Sequence, residues 1–572
     1  MKKVWFALIG LLIISSVLLA ACQPTATETA QETAPAVVEE EATAAPTEAA
    51  AATEETTATE APAATEAATE EVVTGGTLYW HSGAIVSFDP PFIVDDPSFA
   101  VASQIYSFLF RINSQGDPIP DLAESWEYEN DNKSVVFHLR HGVTFQDGNE
   151  VFAEGEGREV VASDVVYSLE RYLTVEGGQP TSDLVSNYDS IEAVDDYTVR
   201  LNLKNPDALL FVNGRGLTIM GIVPQEAVEF YGDSWNIHPI GSGPFELQEY
   251  VPDEQIVLVA NEDHYIVPNL AQVIFKIIPD ETVASISLEA GEIYYLSTST
   301  TTIFEQFVGR EGFVTEQGSC PWNYYIHYDF VSPLTSQLEV RKAVSQAING
   351  EEIMSAILGD LYIGGCGTAG PGVPGYDPEL CNKYFLYDTD AAAQTLTDAG
   401  WAKNADGIWE KDGTPLALRL EIWNLSPTPD IGAAVITQLQ EFGVDAELVQ
   451  VEFGTWIDDF YGGNQKEMMF SNGFCGDGGI NALFGGGGLA YALGYKNDEA
   501  AALLDQSNME VDPAKRDEML RTAQDMVYKD YVAYTLGFGS GGVIVSDKVK
   551  DFESCLWFLN LVTVNNNVWV TE

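Results

Sequence analysis

Residues Leu416 to Phe453 read LALRLEIWNLSPTPDIGAAVITQLQEFGVDAELVQVEF. Leu416 to Trp423 is a short apolar run with strand character. Ile431 to Phe442 repeats apolar residues at helical spacing and is closed by Gly443, and Val444 to Phe453 returns to strand character. Strand, helix and strand in so short a span make a βαβ crossover, which joins parallel strands. At least one lobe of this chain is therefore α/β with parallel sheet.

The same alternation extends outward. Trp126 to Tyr128 and Val135 to Arg140 flank Asn130-Asp131-Asn132-Lys133, which reads as a hairpin. Ser163 opens a helix with Val165, Val166, Leu169, Tyr172 and Leu173 on one face. Asn349 with Glu352 three residues on resembles a capping box before Ile353 to Leu358. Asp512-Pro513 starts a helix that buries Met519, Leu520, Ala523, Met526 and Val527. Residues 75–572 are too many for one ordinary core and suit two or three lobes.

The first residues carry a different message. Lys2 and Lys3 precede an apolar run, Val4 to Ala21, which is interrupted by Gly10 and Ser15-Ser16 and ends in Leu19-Ala20-Ala21-Cys22. This is the pattern of a bacterial lipoprotein signal: residues 1–22, with Cys22 lipidated and the protein held outside the cytoplasmic membrane. An uncleaved membrane anchor is the alternative, but it has no need of the small residues before the cysteine. Residues 23–74 are almost all Ala, Thr, Glu, Pro and Val, with twelve acids, no bases and no aromatics. Such a stretch cannot offset its ordering entropy and reads as a disordered tether.

The whole chain carries a net charge of −61. Setting aside the twelve acids of the tether and the two lysines of the leader leaves −51 on residues 75–572. Nucleic acid is excluded as a partner. The charge is compatible with a cationic ligand or with a heavily hydrated surface. After Cys22 the cysteines are Cys320, Cys366, Cys381, Cys475 and Cys555, none in C-x-x-C spacing, so no zinc site is expected. Cys366 and Cys381 bracket a Gly- and Pro-rich loop and are expected to pair.

Catalytic signatures are missing. Gly365-Cys366-Gly367-Thr368-Ala369-Gly370 fits G-x-G-x-x-G but runs into Pro371 where a dinucleotide site needs a helix, so it is a loop. No P-loop, G-x-S-x-G or H-E-x-x-H is present. His138 and His141 straddle a strand end and do not share a face. Acidic pairs such as Asp458-Asp459 are expected by chance in a chain of this composition.

Pro120 to Trp126 (PDLAESW) followed by Phe137 to Gly148 (FHLRHGVTFQDG) resembles the signature of family 5 extracellular solute-binding proteins, the peptide and nickel receptors of ABC importers. Ala162 to Tyr172, Gly241 to Tyr265, Arg341 to Asn349 and Pro371 to Trp401 resemble the same family in the same order. Asn149 to Glu159 departs from it as an insertion, expected to be a surface loop. Tyr294-Tyr295 departs from it where the family has an Asp.

The resemblance implies a two-lobed, periplasmic-binding-protein-like α/β fold with a hinge and a ligand cleft between the lobes. Lobe one would comprise 75–322 and 537–572, and lobe two 323–536. It also implies a monomeric receptor that passes peptides to an ABC permease, touches the membrane only through its lipid, uses no cofactor and is not an enzyme. By family position Asp477 would hold the ligand's α-ammonium, with Cys475 and Gly476 beside it. Cys475 would pair with Cys320, leaving Cys555 free. Ser87, Phe88 and Asp89 resemble the family's early cleft loop. Trp423, Asn424 and Trp456 lie at the ends of lobe-two elements where a ligand could pass, although core packing is the more frequent explanation for a Trp. A receptor of the same fold for an oligosaccharide or metal chelate stays open, as does, more remotely, an extracellular hydrolase.

Overall fold

The computed structural model describes residues 72–571 apart from 94, 179–181, 213–216, 319–320, 474–477, 487 and 555–558. The leader, Cys22 and nearly all of the tether lie outside the described residues, as do Cys320, Cys475, Gly476, Asp477 and Cys555. Among the described residues no helix is long and apolar enough to cross a membrane.

The strands of the two main sheets begin with β1 (Gly76–Ser82), β2 (Phe245–Val251), β3 (Gln255–Ala260), β4 (Leu270–Ile277), β5 (Tyr295–Thr298) and β6 (Phe313–Gln317). The chain then lays down β7 (Trp322–Tyr328), β8 (Ala417–Trp423), β9 (Asp445–Val451), β10 (Met468–Gly473) and β11 (Ala533–Gly539), and returns as β12 (Gly542–Ser546). The first sheet has the order β6-β12-β5-β1-β4-β3-β2, with β1 parallel to both β4 and β5. The second has the order β9-β8-β10-β7-β11, with β8 parallel to β9 and β10.

The crossover that opened the sequence reading forms as expected. β8 is buried at Leu418, Leu420, Ile422 and Trp423, and the helix Thr428–Phe442 packs over it. A Cβ on Gly432 would come within 2.8 Å of Leu448 Cδ1, so glycine there lets the helix lie close on the sheet. Gly443, at φ 101°, ends the helix in the left-handed conformation that glycine adopts without penalty.

Other local expectations are met with corrections. The helix Ala162–Thr174 starts one residue early because Asp164 accepts the Val161 N–H at 2.9 Å. Asn349 caps its helix through the Glu352 N–H at 3.3 Å, but the return contact is side chain to side chain, and the Asn349 N–H goes to Gln438 at 2.7 Å. Asp512 caps Pro513–Tyr528 as expected. That helix buries Arg516, Gln524 and Tyr528 along with Leu520, Ala523 and Val527, while Met519 and Met526 are only half-buried. Gln524 Oε1 accepts the Thr368 N–H at 2.8 Å, so a polar face can be buried against the 365–370 loop. The segment Asn149–Glu159 is a loop, yet Phe152 is buried and Arg158 ties the loop to Asp164 and Glu226.

A four-stranded antiparallel sheet (Ala123–Glu129, Ser134–Leu139, Thr198–Leu203, Tyr188–Asp195) shares one continuous core with the first sheet. A second core lies around β7, β8 and β10, and a third gathers Cys366, Leu380, Leu520 and Tyr528. The 366–381 disulfide is present, with Cα atoms 5.5 Å apart.

Candidate ligand-binding cleft

β1, β4 and β5 run parallel, so their carboxyl ends share one edge of the first sheet. β4 and β5 flank β1 on opposite sides, and the helix Glu281–Glu289 carries the chain between them. A crevice outside the carboxyl ends of parallel strands, where the chain passes to either side of one strand, is where open α/β sheets take ligands. A cavity of about 370 Å³ opens there, lined by the ends of β1 and β5, Glu281, Asp96, Phe552 and the segments that leave the sheet.

Those segments are the two passages between the sheets. β6 pairs antiparallel with β12 in the first sheet, and their continuations β7 and β11 pair antiparallel in the second. Between the pairs, Gly318 donates its N–H to the Gly541 carbonyl at 2.7 Å. Gly318, Gly541 and Trp322 all line the cavity. The next residue, Asn323, is in register with Gly473 at the end of β10, the strand that leads in sequence to Asp477.

One wall of the cavity is aromatic. The register places Trp80 opposite Tyr295, and their rings stack with centroids 3.5 Å apart at 11°. Phe552 meets both edge-on, at 5.6 Å and 5.9 Å. Burial pushes the Tyr295 hydroxyl up to about 12, so it stays protonated at neutral pH.

Other lining residues are polar. Glu281 Oε2 accepts from the Thr298 hydroxyl at 2.6 Å and the Thr300 hydroxyl at 2.7 Å, and Oε1 accepts from Ser299 at 3.4 Å. Burial works against its charge, but these donors outweigh burial and hold the carboxyl below its usual range. Burial pushes the imidazole of His81 below its ordinary value, against the pull of Ile278 and Glu281, and its Nε2 lies 2.9 Å from the Ile278 carbonyl. This cleft therefore offers aromatic faces, a fixed ionised carboxylate and an uncharged histidine.

The residues expected from sequence do not all meet here. Ser87, Phe88 and Asp89 are buried and face lobe-one partners. Ser87 Oγ accepts the Asp89 N–H at 2.9 Å, Phe88 meets Tyr250 edge-on at 5.3 Å, and Asp89 forms a two-pronged ion pair with Arg171, each bond 2.7 Å. Trp423 and Trp456 are buried against each other, centroids 5.0 Å apart, with Phe470 at 5.3 Å from Trp423. Asn424 is exposed at the end of β8. None of these six lines the cavity. His138 lies 3.7 Å from Glu127 and His141 packs on Tyr197, so the two are separately engaged. Trp80, Glu281 and Phe552 were not singled out from sequence. The departure at Tyr294-Tyr295 was the one legible sign, since Tyr295 completes the aromatic wall.

Residues 117–479 match the model of the bacterial extracellular solute-binding proteins, family 5, middle region. The oligopeptide-binding protein AppA of Bacillus subtilis is 28% identical over 400 residues, 67% of this chain and 70% of its own. Heme-binding protein A of Haemophilus influenzae is 25% identical over 518 residues, 83% of this chain and 89% of its own. The dipeptide-binding protein of Escherichia coli is 25% identical over 430 residues, 70% and 76% of the two chains. Among solved structures, HbpA2 from Haemophilus parasuis superposes with a TM-score of 0.75 at 21% identity, over 87% of this chain and all of that one. AppA from Bacillus subtilis in complex with a nonapeptide gives 0.66 at 23% identity, over 88% of this chain and all of that one.

Proposed function

The chain belongs to the family 5 bacterial extracellular solute-binding proteins, and from that premise we propose that it is a peptide receptor which closes its two lobes around the ligand and delivers it to an ABC permease. The reading is carried by one observation: the cavity lies at the carboxyl ends of parallel strands and against the only two chain passages between the main sheets among the described residues. Rotation about those passages opens or shuts that cavity, and a ligand that prefers the shut form selects it.

In this reading lobe one is 75–322 with 537–572 and lobe two is 323–536, with the last residues of β11, Gly537 to Gly539, still paired in the second sheet. Asp477, in the loop after β10, takes the peptide's α-ammonium, with a Cys320–Cys475 disulfide beside it. A buried carboxylate facing an ammonium makes a strong, directional hydrogen bond and sets the ligand's register. The receptor works as a monomer, extracytoplasmic and anchored by lipid at Cys22, with the acidic tether holding it off the membrane. No bond of the ligand needs to be broken for this task. Peptide names among the relatives support a peptide ligand.

Mass spectrometry of the small molecules released when the natively purified protein is denatured tests the reading. Peptides are expected; a sugar or a metal complex in their place would overturn it.

A further inference from the structure

We infer that the cavity beside β1 and β5 is a subsite for an organic cation, a guanidinium or alkylammonium group of the ligand, seated between the Trp80–Tyr295–Phe552 wall and the carboxylate of Glu281. The inference deepens the reading of this cleft as the ligand site and rests on it.

The first step is a charge balance. Glu281 is held ionised by hydroxyl and amide donors, all of them neutral. Asp96, whose pKa burial and then Asp95 push up, adds a second acidic side chain to the lining. Among the described residues no Lys or Arg lines the cavity. His81 could supply a positive charge only if protonated, which its burial opposes.

While the cleft is open, water screens this excess of negative charge. When the lobes shut, water leaves, and a carboxylate without a counter-charge becomes costly to bury. A ligand that brings a cation removes that cost. An anionic or purely apolar group at the same place would leave it in full.

The second step is shape. A stacked Trp–Tyr pair with a Phe edge-on to both concentrates aromatic surface at one side of the cavity. Aromatic faces attract guanidinium and ammonium groups, most strongly when desolvated. Glu281, with Thr298 and Ser299, lines the same cavity and offers the acceptor for the same group's N–H donors. Aromatic surface alone would suit a sugar or an apolar side chain, and the carboxylate alone could be a solvated surface acid. Together in one cavity they select an organic cation.

The test uses the full chain stripped of ligand in urea and refolded. Calorimetry is run on tetra-alanine peptides with a single Arg moved through the four positions, each matched by the uncharged isostere citrulline. Agmatine and its neutral urea analogue are run in parallel. At one position Arg is expected to bind at least about ten-fold tighter than citrulline. Glu281→Gln, which keeps an acceptor for Thr298, should abolish that preference, and Tyr295→Leu should reduce it. If peptides bind but Arg and citrulline are equivalent everywhere, the cation subsite is overturned and the peptide reading stands. If peptides fail but agmatine binds wild type over its neutral analogue and loses that preference in Glu281→Gln, the subsite stands and the peptide reading falls. If neither class binds, the subsite is overturned. The Arg-to-citrulline ratio in wild type decides the matter even if a variant folds poorly.

Discussion

Lys466 Nζ lies 2.9 Å from Oε2 of Glu421, a carboxylate with no exposed surface in the middle of β8. Asp459, from the helix Phe453–Gly462, stands 3.5 Å from the same ammonium. Burial and the neighbouring Asp459 raise the pKa of Glu421, and Lys466 opposes that shift without cancelling it, so one lysine serves both acids.

Lys466→Met should therefore lower unfolding free energy by roughly 3 kcal/mol, because it leaves Glu421 buried beside Asp459 with no counter-charge. The double variant Glu421→Leu with Lys466→Met should recover most of that loss, since removing both partners abolishes the desolvation cost as well. Urea unfolding of the three proteins measures it. Losses that simply add would mean the two groups do not interact.

His327 yields a pH signature. Its ring is fully buried, its Nε2 is 2.7 Å from Ser471 Oγ, and burial pushes its pKa down to about 3. In the unfolded chain a histidine titrates near about 6.5. Between those values the unfolded state binds a proton that the folded state refuses, so stability falls as pH drops through the window. His327→Gln should flatten the decline by up to about 1.4 kcal/mol per pH unit between pH 6 and 4, with no effect on slope above pH 7. Urea midpoints across that range provide the measurement.

The Cys366–Cys381 bridge closes a separation of 15 residues. In the chain-entropy account such a closure stabilises by about 3 kcal/mol. Replacing both cysteines by alanine should cost roughly that much in unfolding free energy under non-reducing conditions. Wild type in reductant should approach the double variant. An unchanged midpoint would mean that loop ordering owes nothing to the bridge.

What the sequence disclosed and what it hid follow from the range of the forces involved. The crossover at Leu416–Phe453, the cap at Asp512 and the 366–381 bridge depend on neighbours along the chain, and periodicity or spacing exposes them. The aromatic wall depends on a parallel register that joins Trp80 to Tyr295, residues far apart in sequence, and then on Phe552 from the last part of the chain. No local pattern encodes that meeting. The early loop Ser87-Phe88-Asp89 resembles the family's cleft-lining loop, but a resemblance in sequence does not say which way a side chain turns. Asp89 turns to Arg171.

Asp89 supplies a direct check of that assignment. The Asp89 and Arg171 side chains are only 6% and 14% exposed, so losing the charge leaves a largely buried guanidinium without its partner. Asp89→Asn should lower stability by about 2 kcal/mol and leave affinity for bound peptides within about two-fold. The opposite pattern, intact stability with lost binding, would put this loop on the ligand.

The remaining prediction concerns Asp477, which follows β10 in sequence, beyond Gly473, the register partner of Asn323. If a peptide's α-ammonium meets this carboxylate in the shut cleft, Asp477→Asn removes the charge while keeping the side-chain shape. Losing one partner of a buried charge pair typically weakens binding by about 2 to 5 kcal/mol. N-acetylation of the peptide deletes the same contact from the other side, so it should weaken binding to wild type by a similar amount and to the variant far less. Calorimetry on the four combinations reads the coupling. The cation subsite at Glu281 is probed by a different group of the ligand, so Glu281→Gln should leave the penalty for N-acetylation unchanged. Full additivity between Asp477→Asn and N-acetylation would reduce Asp477 to a turn residue in a glycine-rich loop, and the α-ammonium would then have to find its partner elsewhere in the cleft.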